Sequence, residues 1–295
     1  MRLTKKAVVP AAALVLAAGV VIAYHAANGT GMGTTAQPSR ANGPAVLGQV
    51  AHASVGDPGD PATWRLPIEA YMPAEAQERL VASTRGELID QCMDKAGYPA
   101  WKPAPELPAV GGKTLTDWRY GIHDVQMAAK RGYHPDADEQ KAYDEAMRTG
   151  AVDTSGAPDD AVRACVAQVD SQVPAAQPAE IVQQISGDAF TESQKDPKVV
   201  AVFAKWSSCM KEKGYIYSKP LDASDDPRFN DPGQVTRLEI KTAEADIACR
   251  GQYGVARTWF DSESAIQRAK IADHLKEVTE SAKVTREAVA RAKAV

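Results

Sequence analysis

Apolar residues recur every three or four positions through most of the chain beyond residue 73. The clearest stripes run through residues 80–92, 162–169, 199–210 and 238–249, and each stripe would cover one face of a helix. Strict alternation of apolar and polar residues, which is typical of strands, is rare and short. The pattern therefore predicts an all-α protein with about six or seven helices.

Two of these stripes end in the same motif, C-M-x-x-x-G-Y, which begins at Cys92 and again at Cys209. The glycine of each motif is expected just after the last helical residue, where a left-handed backbone closes a helix. Each motif helix is followed, across a loop, by a second helix that carries a cysteine. We therefore predict an internal repeat, with the first copy at about 73–170 and the second at about 194–252.

The four cysteines of the chain allow three disulfide pairings. Pairing within each predicted repeat gives the simplest arrangement, Cys92 with Cys165 and Cys209 with Cys249. The alternative is thiol or metal chemistry, but the sequence has no C-x-x-C and no clustered Cys/His spacing. We therefore expect two disulfides and no metal site.

The N-terminus has the form of an export signal. Basic residues at positions 2, 5 and 6 precede the uncharged segment 7–23. Cleavage after Ala23 and retention of residues 1–27 as a signal-anchor both remain open, and both predict an extracellular or membrane-anchored chain facing outside. Residues 28–62, rich in Gly, Pro and Ala, are predicted to be a flexible linker.

Residues 63–255 are predicted to form the helical body, and 256–295 one long C-terminal helix, because residues 256–294 contain neither Pro nor Gly. Small apolar residues in this segment follow a heptad spacing from Ile271 to Ala292. Either the helix packs back on the body, or its distal half projects and docks on a partner helix. The length of the stripe favours projection.

Candidate catalytic residues are few. Of the five histidines, His123 adjoins Asp124, and His134 precedes Asp136 and Asp138. The acidic residues after His134 are also typical of the first turn of a helix, which is the interpretation we favour. No nucleophile elbow, phosphate-binding loop or zinc-protease motif is present. We therefore assign no catalytic residue and no cofactor, and enzyme activity is the less favoured alternative.

Aromatic side chains cluster in the loops that follow the cysteine helices. In an open groove such rings would suit a glycan or a peptide. Packed against the ends of the helices, they would instead complete a small core, and we favour this second interpretation. The residues considered for binding are Trp101, Trp118, Tyr120, Tyr133, His134, Tyr215 and Tyr217.

Charge and hydropathy exclude two classes of protein. The chain has 34 basic and 38 acidic residues, a formal net charge of −4, which argues against a nucleic-acid partner. A single apolar run near the N-terminus excludes a polytopic membrane protein.

Four segments of the sequence resemble those of a known protein family. The C-M-x-x-x-G-Y helices, the W-R-Y-G-I segment (118–122), the A-E-A-D-I-A-C stretch (243–249) and the helix that follows resemble an uncharacterised family of secreted or membrane-anchored actinobacterial proteins. The resemblance covers about residues 64–290. Members are commonly encoded beside peptidoglycan-binding and ABC-transporter proteins, which implies a cell-envelope setting but no established activity.

These observations lead to two functional hypotheses. The first is a non-catalytic extracytoplasmic envelope protein, a binding or accessory subunit of an exporter or peptidoglycan-associated assembly, with its partner on the C-terminal helix. The assembly is implied by the resemblance alone. The alternative is a secreted envelope hydrolase that uses His123 or His134 with nearby carboxylates.

Overall fold

The structure, a computed structural model, describes residues 48–150 and 153–295. All regular elements in these two ranges are helical, apart from one isolated antiparallel bridge between Ser54 and Arg65. The ten α-helices are α1 (Glu75–Lys95), α2 (Val125–Arg131), α3 (Ala137–Gly150), α4 (Asp159–Gln172), α5 (Glu180–Ser193), α6 (Pro197–Glu212), α7 (Pro220–Ser224), α8 (Arg237–Tyr253), α9 (Val255–Asp273) and α10 (Leu275–Ala292). Short 3-10 turns lie at Pro61–Thr63, Pro67–Tyr71 and Pro227–Phe229. The all-α prediction is confirmed.

The described residues contain more helices than the six or seven expected. The loop after α1 and the loop after α6 contain the short helices α2 and α7, which are too brief to show a clear apolar period. The C-terminal segment supplies two helices where one was expected.

A large aromatic core joins α5, α6, α8 and α9 to the segment that begins at Trp64. Trp259 of α9 is fully buried near its centre. Its ring stacks on Phe190 at 5.0 Å and meets the edges of Phe203 at 5.1 Å and Tyr120 at 5.4 Å between centroids. Each such aromatic pair adds about 0.5–1.5 kcal/mol beyond the area that it buries.

A second, smaller core lies where α1 packs against α4 and α10. Its buried members are Val81, Val173, Ala176, Ala288, Val289 and Ala292. The guanidinium of Arg85 donates to the Val173 carbonyl oxygen and pairs with Asp170 at 2.7 Å, which fixes the end of α4 to α1.

Both predicted disulfides are present, and the described residues contain no free cysteine. Cys92–Cys165 joins α1 to α4, and Cys209–Cys249 joins α6 to α8. Each bond therefore connects two helices that already pack together. Disulfides of this kind form and persist in oxidising compartments, and they are consistent with an extracytoplasmic environment.

The two C-M-x-x-x-G-Y motifs end their helices in the same way. Gly97 and Gly214 take positive φ values of 95° and 91°. The tyrosine after each glycine donates its N–H to the methionine carbonyl oxygen five residues earlier, at 2.9 Å in both motifs. This is the hydrogen bond of a Schellman cap. The two motifs are therefore alike in structure. A repeat of the complete segments at about 73–170 and 194–252 stays a prediction.

The flexible linker predicted for residues 28–62 does not extend through 48–62. Val50, Ala51 and Val55 pack against the large core, although each apolar side chain is too small to signal a core segment in the sequence. The Tyr71 hydroxyl donates to the Gln49 carbonyl oxygen at 2.9 Å and accepts the Ala51 N–H at 3.2 Å. The predicted signal segment and the rest of the linker lie outside the described residues.

The single long C-terminal helix is also a wrong prediction. Residues 255–292 are helical except at His274, whose φ of −115° and ψ of 24° separate α9 from α10. α10 packs against α1 and α5, and Val278, Ala282 and Val289 are buried. The heptad-spaced stripe therefore completes the protein's own core, and the distal half does not project.

Candidate functional site

The W-R-Y-G-I segment lies against α9 through a buried ion pair. The Arg119 Nε and Nη2 atoms donate to the Glu263 carboxylate at 2.7–3.0 Å, with side-chain exposures of 4% and 0%. The same carboxylate accepts the Tyr120 hydroxyl at 2.8 Å and the Gln267 amide at 2.9 Å. Burial, and then the Glu263 charge, raise the pKa of Tyr120 well above its usual value. The hydroxyl therefore stays a donor, and the site acts as a structural clamp.

A second buried ion pair lies on α8. The Arg250 guanidinium donates to the Asp246 carboxylate at 2.6 and 2.8 Å, and the exposures of the two side chains are 5% and 0%. Asp246 also accepts the Trp206 indole N–H at 2.8 Å and the Tyr133 hydroxyl at 3.3 Å. Burial and the Asp246 charge raise the pKa of Tyr133. The carboxylate thus joins α6, α8 and the loop after α2.

Arg250 also contacts the backbone of the W-R-Y-G-I segment. Its guanidinium donates to the Tyr120 carbonyl oxygen and lies directly against Gly121. A Cβ atom on Gly121 would clash with the Arg250 guanidinium, and the φ of 101° is one that other residues rarely adopt. The glycine of this motif therefore permits the close approach of a buried cation.

His134 meets a carboxylate that is distant in the sequence. Its Nε2 atom lies 3.6 Å from Oε1 of Glu239, which is fully buried and accepts the Tyr133 N–H at 2.9 Å. Nε2 of His134 and the other oxygen of Glu239 have no hydrogen-bond partner among the described residues. Asp136, which the sequence offered as a neighbour, instead caps the first turn of α3 through N–H bonds from Asp138 and Glu139. The helix-start interpretation is therefore confirmed.

His123 also pairs with a carboxylate other than the one expected. Its Nε2 atom lies 2.6 Å from Asp117 Oδ1 and 3.9 Å from Asp60, and its side chain is 27% exposed. Burial would raise the pKa of Asp117, but hydrogen bonds from His123 and from the Lys113 N–H lower it below its usual value. Asp124 caps α2. This histidine–carboxylate pair is partly open to solvent and is the arrangement closest to an acid–base dyad.

Of the six aromatic residues considered for binding, two are buried and four are partly exposed. Tyr120 and Tyr133 are buried in the large core, so that their ring faces are not available to a ligand. The others are partly exposed, and Trp118, Tyr215 and Tyr217 pack against that core, whereas Trp101 lies outside it. Five of the six rings therefore lie in the large core or pack against it, and binding through the exposed parts of Trp118, Tyr215 and Tyr217 stays a prediction.

The residues that form the two clamps were missed by the sequence reasoning. Asp246 and Arg250 lie on the buried face of α8, and Glu263 and Gln267 on the buried face of α9. A charged residue within the apolar stripe of a helix could have indicated these sites. Such a residue is predicted to be buried, and buried charges are seldom without a partner.

Glu69, in the turn Pro67–Tyr71, lies beside the Arg119 clamp. Its Oε1 atom accepts the Leu66 N–H at 2.7 Å, Arg65 Nε lies 3.7 Å from its Oε2, and its side chain is 18% exposed. Burial raises the pKa of Glu69 from the usual 4.5 to about 7, although the Leu66 N–H and the two arginines act in the opposite direction. The carboxyl therefore titrates near neutral pH in the folded chain.

Replacing Glu69 with glutamine should remove a pH dependence of stability. Because the folded pKa is raised, the folded state holds the extra proton between pH 4.5 and about 7, and the contribution of Glu69 to stability falls as the pH rises through that window. Glu69→Gln should raise the free energy of unfolding by about 2–3 kcal/mol at pH ~8 and change it little at pH ~4.5. Urea denaturation across this range measures the effect. Glu280→Gln, on an exposed carboxyl, is the control, and equal pH profiles for the two variants would contradict the assignment.

Comparison with known proteins adds no relative. No family model matches the chain, and no curated protein or solved structure does so either. Among residues 48–150 and 153–295, no three histidine, cysteine or acidic side chains are grouped as metal ligands. In the same ranges no helix has the length and apolarity needed to cross a bilayer.

Proposed function

We propose that this chain is a non-catalytic extracytoplasmic protein of the cell envelope that acts as a binding or accessory subunit. The observation that carries the proposal is that the charged side chains of its sequence motifs are buried and bonded to one another. Arg119, Glu263, Asp246 and Arg250 serve as internal clamps between the W-R-Y-G-I segment and the helices. The two disulfides support the extracytoplasmic part. The exporter or peptidoglycan assembly rests on the family resemblance alone.

The partner surface must be sought away from the buried stripe of α10. The loop after α6 offers an exposed apolar side chain on an anchored backbone, because Ile216 is 87% exposed and both neighbouring tyrosines are hydrogen-bonded to α6. The Tyr217 carbonyl oxygen accepts the Ser207 hydroxyl at 2.6 Å, and the Tyr217 hydroxyl donates to Asp226 at 2.8 Å. Because the backbone on both sides of Ile216 is already fixed, binding at this position would order little of the main chain.

Site-specific photocrosslinking in intact cells tests this proposal. A photoreactive residue at position 216 of the full chain should yield an adduct with an exported or membrane protein, and Ile216→Asp should abolish co-purification of that protein. Val200→Asp, on the exposed side of α6, is the matched control and should leave the complex intact. Adducts only with cytoplasmic proteins, or equal losses for both variants, would count against an envelope subunit.

One observation favours the alternative, a secreted envelope hydrolase. The His123–Asp117 pair has the short distance and partial exposure that a general base needs. In that case His123→Gln should abolish release of fragments from purified cell-wall polymer, while His274→Gln, on another exposed histidine–carboxylate pair, should retain it. If the main proposal is correct, the disulfide-bonded wild-type chain releases no fragments from the cell-wall polymer.

A further inference from the structure

The loop after α1 contains a proline-rich segment, K-P-A-P-E-L-P, at residues 102–108. Proline fixes its own φ near −65°, and the residue before a proline is restricted to extended conformations. Six of these seven residues are either a proline or the residue before one. The segment has no regular secondary structure, and its composition favours a polyproline II conformation with three residues per turn. We call residues 102–108 the proline ridge.

The backbone of the proline ridge is open to solvent. Residues 102–106 are exposed, and residues 107 and 108 are partly exposed. Residues 103–110 form no hydrogen bond with any other residue that the structure describes. A solvated backbone without internal hydrogen bonds is the usual state of polyproline II. The ridge is therefore a surface feature and not part of either core.

One edge of the proline ridge lies along α1. Pro103 lies beside Gly86, where an added Cβ atom would be 3.5 Å from the proline Cβ, and Oε1 of Glu106 lies 3.8 Å from Nε of Arg79. Positions 103 and 106 are one polyproline turn apart, which is about 9 Å. Gly86 and Arg79 are two helical turns apart, which is about 10 Å. Because the two spacings match, this edge runs antiparallel to the helix.

Further contacts fix the two ends of the segment. Nζ of Lys102 lies 2.9 and 3.0 Å from the carboxylate oxygens of Asp90 on α1. Beyond the ridge, the Gly111 N–H donates to the Glu139 carboxylate on α3 at 3.2 Å. A segment that is ordered before it binds loses little conformational freedom on binding. The ridge is thus both exposed and preorganised.

A different edge of the ridge carries a cation followed by two prolines. Lys102, Pro105 and Pro108 are three residues apart and therefore share one edge of a polyproline II helix. Proline rings at this spacing dock between the aromatic side chains of grooves that bind polyproline II. The Lys102 side chain is 66% exposed, and its surface pair with Asp90 is a weak interaction in water. The lysine can therefore exchange Asp90 for an acidic residue of a partner.

We propose that the proline ridge docks into an aromatic-lined groove of a partner domain, with an acidic residue of that domain beside Lys102. A pairing β-strand does not suit the ridge, because prolines at positions 103, 105 and 108 have no N–H to donate. The ridge goes beyond the proposed function, since it assigns a second contact surface and the chemistry of the domain that recognises it.

Titration of a purified, ¹⁵N-labelled SH3 domain with the disulfide-bonded full chain tests the ridge. The domain used has an aromatic-lined groove flanked by acidic residues. Resonances of the groove should shift, with a dissociation constant of about 0.1 mM or below. Replacing both Pro105 and Pro108 with alanine should weaken binding at least about tenfold. Pro99→Ala, at an exposed proline of the same loop outside the ridge, should leave the affinity unchanged.

A charge reversal tests the basic end of the ridge without changing a proline. Lys102→Glu should weaken binding about tenfold, because the new carboxylate faces the acidic side of the groove. Lys141→Glu makes the same change of charge at an exposed position of α3 and should have no effect. This pair of variants keeps the proposal testable if the alanine substitutions disturb the loop, which circular dichroism and hydrogen exchange of the variants would show.

Three outcomes would overturn the proposal. One is the absence of shifts at about 1 mM of the full chain. Another is an equal loss of affinity for the ridge variants and their controls, which would show unspecific association. The third is a set of shifts that lies outside the aromatic groove. A negative photocrosslinking result at position 216 would leave this titration interpretable, because the titration uses a purified domain and a different segment of the chain.

Discussion

Replacing Arg119 with methionine should lower the free energy of unfolding by about 3–5 kcal/mol. The substitution keeps an unbranched side chain of similar length but leaves the Glu263 carboxylate fully buried without its cation. Most of the loss comes from this uncompensated charge rather than from the attraction itself. Urea denaturation followed by circular dichroism measures the change at pH ~7.

Two further variants give the prediction its controls. Adding Glu263→Gln to Arg119→Met removes the stranded charge and should recover about half of the lost stability. Lys283→Met breaks the exposed pair with Glu280, at 3.3 Å, and should change stability by less than about 1 kcal/mol. If Arg119→Met proved as mild as Lys283→Met, the clamp would have no role in stability.

Removing the two disulfides should have different consequences. Replacement of Cys209 and Cys249 with alanine should lower the free energy of unfolding by about 4 kcal/mol on the chain-entropy estimate. The bond lies within the large core, so that the loss should appear in every helix. Replacement of Cys92 and Cys165 removes a bond at the small core, where α4 packs mainly against α1. We expect opening of α4 alone at first.

Hydrogen exchange by mass spectrometry separates the two disulfide variants. In the Cys92/Cys165 variant, amides of α4 should exchange close to the unfolded rate, while those of α8 and α9 remain protected. In the Cys209/Cys249 variant, protection should fall throughout the body. Uniform loss in both variants would show that α4 unfolds together with the large core and that the small core is not a separate unit.

Local features of this fold could be predicted from the sequence, because their causes lie within a few residues. The glycine caps at Gly97 and Gly214 depend only on the backbone of one turn. The disulfide pairing followed from matching two short motifs. The all-α class followed from the apolar period.

The candidate sites could not be predicted in the same way, because their partners are distant in the chain. Arg119 and Glu263 are separated by 144 positions, and nothing near either residue indicates the other. His134 lies 3.6 Å from the distant Glu239, whereas Asp136, its neighbour in the sequence, caps the first turn of α3 instead. The prediction that the C-terminal helix projects was wrong for a related reason. The sequence pattern shows an apolar stripe on the helix, but it does not show which surface covers that stripe.

The contact between the two ends of the body has a consequence for synthesis. The Ile68 N–H donates to Oε1 of Gln267 at 3.1 Å across 199 positions, and the large core extends from Trp64 to Ala282. A chain made from its N-terminus cannot complete this core until α9 and part of α10 have emerged. The nascent polypeptide therefore stays without its complete main core until residues up to Ala282 have been made.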